Sequence, residues 1–417
     1  MIRACFTRAV RSLAAVLGGL LCLAGPAQAG DLAAAAANES LWTQSVEEVS
    51  KGVLMGVRFR AVDTTTLRIR RDANATFSGL RTGDIVLSFS KDHTHVALIS
   101  TTIYNKGDDG EIDKTVYENL LKTSIAQLTK LLGAEPQQRK TTKKETGLRL
   151  RVWEWSTPRC AARLEAAASG SGRNYVSEFI RLTMAHSMAD LERGGADDAV
   201  RRSDLKSNVK KHENGSVWID GIPMVDQGEK GYCVPATLSR VFAYYGMDGV
   251  DQHALAALCS AGAQGTTLPV MEKGLRSISG AFHVNVSSMD WLNHKALEKE
   301  MNITLKKKNL SVQQLTPAIL LECLRAKPSL MRKGFKDIQR QIDAGIPVVW
   351  AVLLGVFPEQ GLPQSQGGHV RLIIGYNESM QAILYSDSWG AGHEVKAMPI
   401  AQASLITQAL YVLRPQR

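Results

Sequence analysis

Residues 346–390 leave this chain few ways to fold. The stretch 346–356 is an apolar run with Pro347 near its start, the pattern of a buried strand. Two more strand-like runs follow, 367–376 and 381–390, separated by Asn377, Glu378 and Ser379. Turn residues between two such runs make an antiparallel hairpin. A hairpin centred near residue 378 sets His369 across from Asp387 at its open end. A carboxylate there orients an imidazole and stabilises its charged form, as the third member of a catalytic triad does. His393, in Gly390-Ala391-Gly392-His393, falls beyond the hairpin and has no evident carboxylate partner.

The candidate nucleophile lies upstream. Gly228 and Gly231 precede Cys233, and an amphipathic run follows it. Leu238, Val241, Phe242 and Tyr245 share one helical face, and Gly246 suits the residue just past the helix end. Cys233 thus stands at a helix start, with Pro235 in the first turn, where its missing N–H costs nothing. The positive end of the helix dipole favours a thiolate there. By itself such a cysteine is more often a small buried residue; His369 and Asp387 single it out.

Together these residues resemble the papain-like cysteine peptidases, and most closely the bacterial C39-like branch. In that family a Gln six residues before the nucleophile supplies an oxyanion-hole donor, and Gln227 holds that place. A His follows the Cys by ~130–150 residues; here the interval is 136. The family's orienting residue sits in an Asn/Asp-Ser-Trp-Gly motif, which Asp387-Ser388-Trp389-Gly390 matches. Tyr244-Tyr245-Gly246 and the segment from Asp343 to Pro347 are similar as well. The resemblance covers residues 215–415 approximately. It implies an α+β, papain-like domain in which a helix carries Cys233 and an antiparallel sheet carries His369 and Asp387. It also implies a cysteine-type peptidase acting on peptide or protein substrates, with Cys233, His369, Asp387 and Gln227 catalytic and no cofactor. Val234 stands where the family commonly has Gly, and its side chain is expected to crowd the substrate side of the cleft. Trp389 is expected to shield the His–Asp contact from water. Two other classes fit a Cys–His–Asp core: a non-peptidase acyl-transfer enzyme (transglutaminase-like, or a cell-wall amidase) and an inactive peptide-binding domain. The wide Cys-to-His interval and Gln227 favour the peptidase over the first, and four chemically competent positions favour it over the second.

The rest of the chain sets the context. Arg3, Arg8 and Arg11, an apolar stretch over 13–25, and Ala27-Gln28-Ala29 read as a signal peptide over residues 1–29, so an exported, periplasmic or extracellular protein is expected. The apolar stretch is far short of the ~20 residues that cross a bilayer, and no membrane span is expected elsewhere. Bulky Leu21 before Cys22 argues against a lipid anchor. Removing the leader takes three Arg and no acid, so a net charge of +10 becomes +7. Lys and Arg are scattered, without a nucleic-acid module, so a solvated basic surface is expected and no nucleic-acid partner.

Residues 40–186 read as a separate α+β domain of unknown role. Strands are expected at 51–60, 65–71, 84–90, 95–104, 147–155 and 178–184. A helix carries Val116, Leu120, Leu121, Ile125, Leu128 and Leu132 on one face, with Gly133 and Pro136 ending it. An antiparallel sheet with this helix packed on it follows. Such a domain can bind substrate, occlude the cleft as a pro-region, or dock a partner. Residues 187–215 read as a charged linker with some helix, and 216–417 as the peptidase-like domain. The acidic stretch 105–113 has the look of a calcium loop, but Val116 replaces the closing Glu. Acids before a helix also suit its dipole. No Cys-x-x-Cys or His-x-x-x-His spacing marks a zinc site, so no metal is expected. If Cys233 is a working thiol, Cys160, Cys259 and Cys323 permit one disulfide at most, of unassigned pairing. Oligomeric state is left open.

Overall fold

The computed structural model describes residues 31–37, 39–51, 59–70, 76–90, 92–139, 148–193, 203–228, 230–247, 252–262, 264–359 and 366–416. The leader expected at 1–29 lies outside them. Two eight-stranded sheets, each with antiparallel pairing throughout, organise the described residues.

In spatial order the first sheet runs Arg60–Ala61, Thr66–Ile69, Ile85–Phe89, Val96–Asn105, Val176–Ala185, Ala161–Ser169, Arg149–Ser156 and Gln137–Arg139. The helix Lys114–Leu132 packs against it through Tyr117, Leu121 and Leu128. Asp113 starts this helix by accepting the N–H groups of Thr115 and Val116, and Gly133 ends it at a left-handed φ of 64°. The Tyr117 hydroxyl donates to the carbonyls of Ala167 and Phe179 at 2.9 and 3.0 Å, tying helix to sheet.

The sequence expectations differ here in three places. Lys51 ends a short helix, Val46–Lys51, and 52–58 of the strand expected at 51–60 lie outside the described residues. Ala161–Ser169 forms an inner strand that the alanine-rich sequence does not announce. Alanine favours helix, but this segment is hydrogen-bonded on both sides and fills the sheet with small buried side chains. The stretch read as a linker is also largely built in. Met188–Arg193 is a helix against the first sheet, and Val209–Lys211 is a strand of the second.

The second sheet runs Val209–Lys211, Ser216–Ile219, Gly367–Asn377, Val348–Leu354, Thr407–Pro415 and Val284–Met289. Ala382–Ser386 pairs with Gly367–Asn377, and Lys396–Pro399 follows it. The helix Cys233–Tyr244 and the helix Ser329–Asp343 both pack on Gly367–Asn377. Val234, Leu238, Val241, Phe242 and Tyr245 of the Cys233 helix enter one core with Val348–Leu354 and the facing helices. Gly246 ends that helix at a φ of 70°. Among the described residues no helix is long and apolar enough to cross a membrane.

Candidate active site

Cys233 is the first residue of its helix and half-buried. His369 lies near the start of Gly367–Asn377, where the strand pairs with Val348–Leu354 and His369 is opposite Val352. The Cys233 sulfur lies close enough to the His369 ring to raise its pKa, and on the other side Nε2 is 3.0 Å from Asp387 Oδ1. Trp389 lies flat on the imidazole, ring centres 4.3 Å apart and 12° between planes.

The hairpin register differs from the sequence expectation. Leu372 is opposite Ser386, and a bulge between Ile373 and Gly375 shifts the ladder by one further residue. Continued past Ser386, the ladder sets Asp387 level with Arg371 rather than His369. His369 reaches Asp387 because side chains two apart on a strand share a face. Arg371 reaches it too, its Nε donating to Asp387 Oδ1 at 2.8 Å. Arg371 is not among the residues that the sequence singles out. Its signal was a charged residue inside an apolar strand, two positions from the candidate histidine.

Further groups hold this arm of the site. The carboxylate of Glu359 takes Arg371 Nη1 at 3.2 Å and the Tyr385 hydroxyl at 2.6 Å. Arg240, two turns along the Cys233 helix, is 2% exposed. It donates to the carbonyls of Asp387 and Pro223, each at 2.7 Å, and to Ser386 Oγ at 2.6 Å. One guanidinium thus joins the nucleophile helix, the end of the Asp387 strand and the loop leading to Gln227. The His393 carbonyl accepts the Asp387 N–H, while its ring hydrogen-bonds Lys396.

Gln227 sits on the loop before Cys233. Its N–H donates to the Ser388 carbonyl at 2.9 Å, and its Oε1 accepts from Ser388 Oγ at 2.8 Å. Its Nε2 donates to the Lys230 carbonyl at 3.0 Å. With Oε1 assigned as acceptor, the amide keeps a second N–H for another acceptor. Val234 is corrected by the structure. It is 2% exposed and lies in the core, so its side chain does not narrow the cleft. Val234 is four residues before Leu238, and that spacing puts both on the same helix face.

The electrostatics favour a charged pair. Burial pushes the Cys233 thiol up, but the hydrogen bond and charge of His369, with the N–H groups of Val370 and Val234, bring it below its ordinary value. Burial pulls His369 down, and Asp387 and Cys233 raise it above the usual imidazole value. Burial also opposes the charge on Asp387, yet His369, Arg371 and Lys396 hold its carboxyl below the ordinary range. Cys259 is the contrast: buried without such partners, its thiol is pushed up to about 12. Cys160, Cys259 and Cys323 are buried free thiols.

The acidic segment 105–113 is engaged by the chain's own donors. Asp108 takes Lys230 Nζ and Asn105 Nδ2, Asp109 takes the Asn105 N–H, and Asp113 caps its helix. Among the described residues no group of three or more His, Cys, Asp and Glu side chains is placed to hold a metal ion.

Comparison with known proteins bears on the second half of the chain. Residues 219–405 match the model of the Peptidase_C39 like family. No curated protein sequence matches significantly. Among solved structures, the chain is similar to xylellain, a cysteine protease from Xylella fastidiosa, at 12% identity and a TM-score of 0.28. That match covers 54% of this chain and 93% of the other.

Proposed function

Since residues 219–405 belong to the peptidase C39-like family and the chain is accordingly a cysteine-type peptidase, we propose that it hydrolyses peptide bonds through Cys233, His369 and Asp387, with Gln227 as oxyanion-hole donor. The observation that carries this reading is the His369 ring, which joins Cys233 to Asp387 under the cover of Trp389.

The Cys233 thiolate attacks the peptide carbonyl carbon, a C–S bond forms, and the carbonyl π pair moves onto oxygen. The Gln227 side-chain N–H and the Cys233 backbone N–H hold that oxyanion, each such donor contributing about 2.7–4 kcal/mol. The intermediate collapses, the C–N bond breaks, and the leaving amine takes the proton of the His369 imidazolium. His369 then removes a proton from water, whose oxygen attacks the thioester. The C–S bond breaks with its pair returning to sulfur, the acid product leaves, and the thiolate–imidazolium pair is restored. Asp387 keeps the ring oriented and its charged form favoured throughout. Trp389 keeps water from the His369–Asp387 contact. The fold that supports these roles is a papain-like arrangement of helix and antiparallel sheet. We read residues 1–29 as an export signal that places the activity outside the cytoplasm, to be checked by fractionating the producing cells.

A peptide-library digest tests the reaction. The full chain is expected to cleave library members, and Cys233→Ala is expected to cleave none above background. Equal and negligible turnover by both proteins contradicts the assignment.

A further inference from the structure

We propose that the N-terminal domain positions the oxyanion arm of the site, with Asp108 and Asn105 holding Lys230 and Tyr232 and, through Lys230, the amide of Gln227. The proposal rests on the reading of Gln227 as a donor to the oxyanion, and it gives the N-terminal domain a task the sequence does not name.

The described residues of segment 226–232 form neither helix nor strand. On one side Ser388 ties Gln227 to the rest of the peptidase domain. Three further ties run to the N-terminal domain. Asp226 Oδ2 pairs with Arg68 Nη1 at 2.6 Å. Lys230 Nζ donates to Asp108 Oδ2 at 2.6 Å. The Tyr232 hydroxyl donates to Asn105 Oδ1 at 2.9 Å. Gly107, beside Asn105, lies so close to the Tyr232 ring that a Cβ there would fall 2.3 Å from the hydroxyl oxygen. A cavity of about 260 Å³, lined by Arg68, Asp226, Lys230 and Ser239 among others, runs along the same contact. Polar ties, together with the close contact of Gly107 on the Tyr232 ring, fix the segment there.

The route to Gln227 is short. The Lys230 carbonyl accepts both the Gln227 Nε2–H at 3.0 Å and the Tyr232 N–H at 2.7 Å. The next residue, Cys233, supplies the second oxyanion donor. Any shift of Lys230 thus reaches one donor through a hydrogen bond and the other through the backbone. Lys230 itself is 9% exposed. Burial pulls its ammonium below the ordinary value, and Asp108 opposes that pull. A buried ammonium that loses its carboxylate is left uncompensated, and relief by movement of Lys230 toward water displaces its backbone. Its carbonyl then no longer orients the amide. Asp108, Asn105 and Lys230 are positioning residues on this account, since none of them touches substrate.

The test uses the full chain. In Asp108→Asn, kcat on a peptide cleaved by the wild type is expected to fall about 10-fold, part of what removing one oxyanion donor costs. KM is expected to stay within about twofold, because the lost contacts act on the transition state. The pH profile of Cys233 alkylation is expected to be unchanged, because the Cys233–His369 pair is untouched. Reversing the pair, Asp108→Lys with Lys230→Glu, is expected to restore kcat to within about threefold, as coupled neighbours do. Amide exchange of residues 226–232 is expected to quicken in Asp108→Asn and recover in the reversed pair, whether or not a substrate is known. Unchanged kcat, unchanged exchange, or joint loss of turnover and Cys233 reactivity each overturns the positioning role. Absence of turnover by the wild type overturns the peptidase reading instead, and the exchange measurement still decides this one.

Discussion

The two arms of the site are held in opposite ways. His369 and Asp387 are held by residues around the second sheet: buried Arg371 and Arg240, half-buried Glu359 and the cover of Trp389. Gln227 sits on a loop tied partly to Ser388 and partly, through Lys230 and Tyr232, to Asp108 and Asn105 at the end of a strand of the first sheet. Charge that is buried and internally paired resists local movement, whereas a loop held across a domain contact can be released without unfolding either core. We propose that the arm assigned to proton chemistry is the rigid one and the arm assigned to the oxyanion the adjustable one.

The largest effect is expected from the rigid arm. Arg371→Met leaves the buried Asp387 carboxylate and the half-buried Glu359 carboxylate without their shared cation. Removing one partner of such a pair typically costs about 3–5 kcal/mol, to be read from urea unfolding. A loss below about 1 kcal/mol would show that the two arms do not differ as described.

His369→Ala removes what offsets the burial of Cys233. The thiol is then expected to rise, with alkylation at pH 6 slowing by at least about 10-fold as the thiolate fraction falls. An unchanged pH profile would mean that the helix start alone lowers the thiol.

Stability against acid sharpens the same arm. The Asp387 carboxyl lies below its ordinary value in the folded chain. Its contribution is present above about pH 3.9, the unfolded value, and is lost as pH falls through the folded one. His369 is raised, so its contribution is full below about 6.5 and is lost as pH rises through its folded value. Asp387→Ala is expected to flatten the acid limb of the unfolding curve. A limb of unchanged slope would assign acid sensitivity to other carboxylates.

The adjustable arm should give the smallest effect. Tyr232→Phe removes one hydroxyl from Asn105, worth about 1 kcal/mol. Quicker amide exchange confined to 226–232 is expected, with strand Gly367–Asn377 unaltered. Exchange that quickens in both places would join the two arms into one unit.

Much of this site could be read from residue types. Cys233 before an amphipathic run, Gln227 six residues earlier, and His369 and Asp387 flanking a turn are local signals, and the structure brings all four into one region. The partners that hold them were not legible. Arg371 appears in sequence as one charge inside an apolar strand, and Arg240 as one charge inside a helix. Their meaning depends on the strand register, which a bulge after Ile373 displaces. The direction of Val234 was available from the four-residue step to Leu238, but a family position that is usually Gly drew attention to the cleft instead. Ala161–Ser169 went unread because pairing on both edges overrides a composition that favours helix. Lys230 and Asp108 lie 122 residues apart in sequence, and no periodicity links charges at that separation.

Intact-mass analysis after a short exposure of the full chain to a pool of N-blocked peptide nitrophenyl esters asks whether Cys233 is the nucleophile. A single acyl adduct is expected, mapped to Cys233, absent from Cys233→Ala and lost with time as water completes the reaction. An adduct on Cys160, Cys259 or Cys323 instead, or no adduct at all, would contradict it.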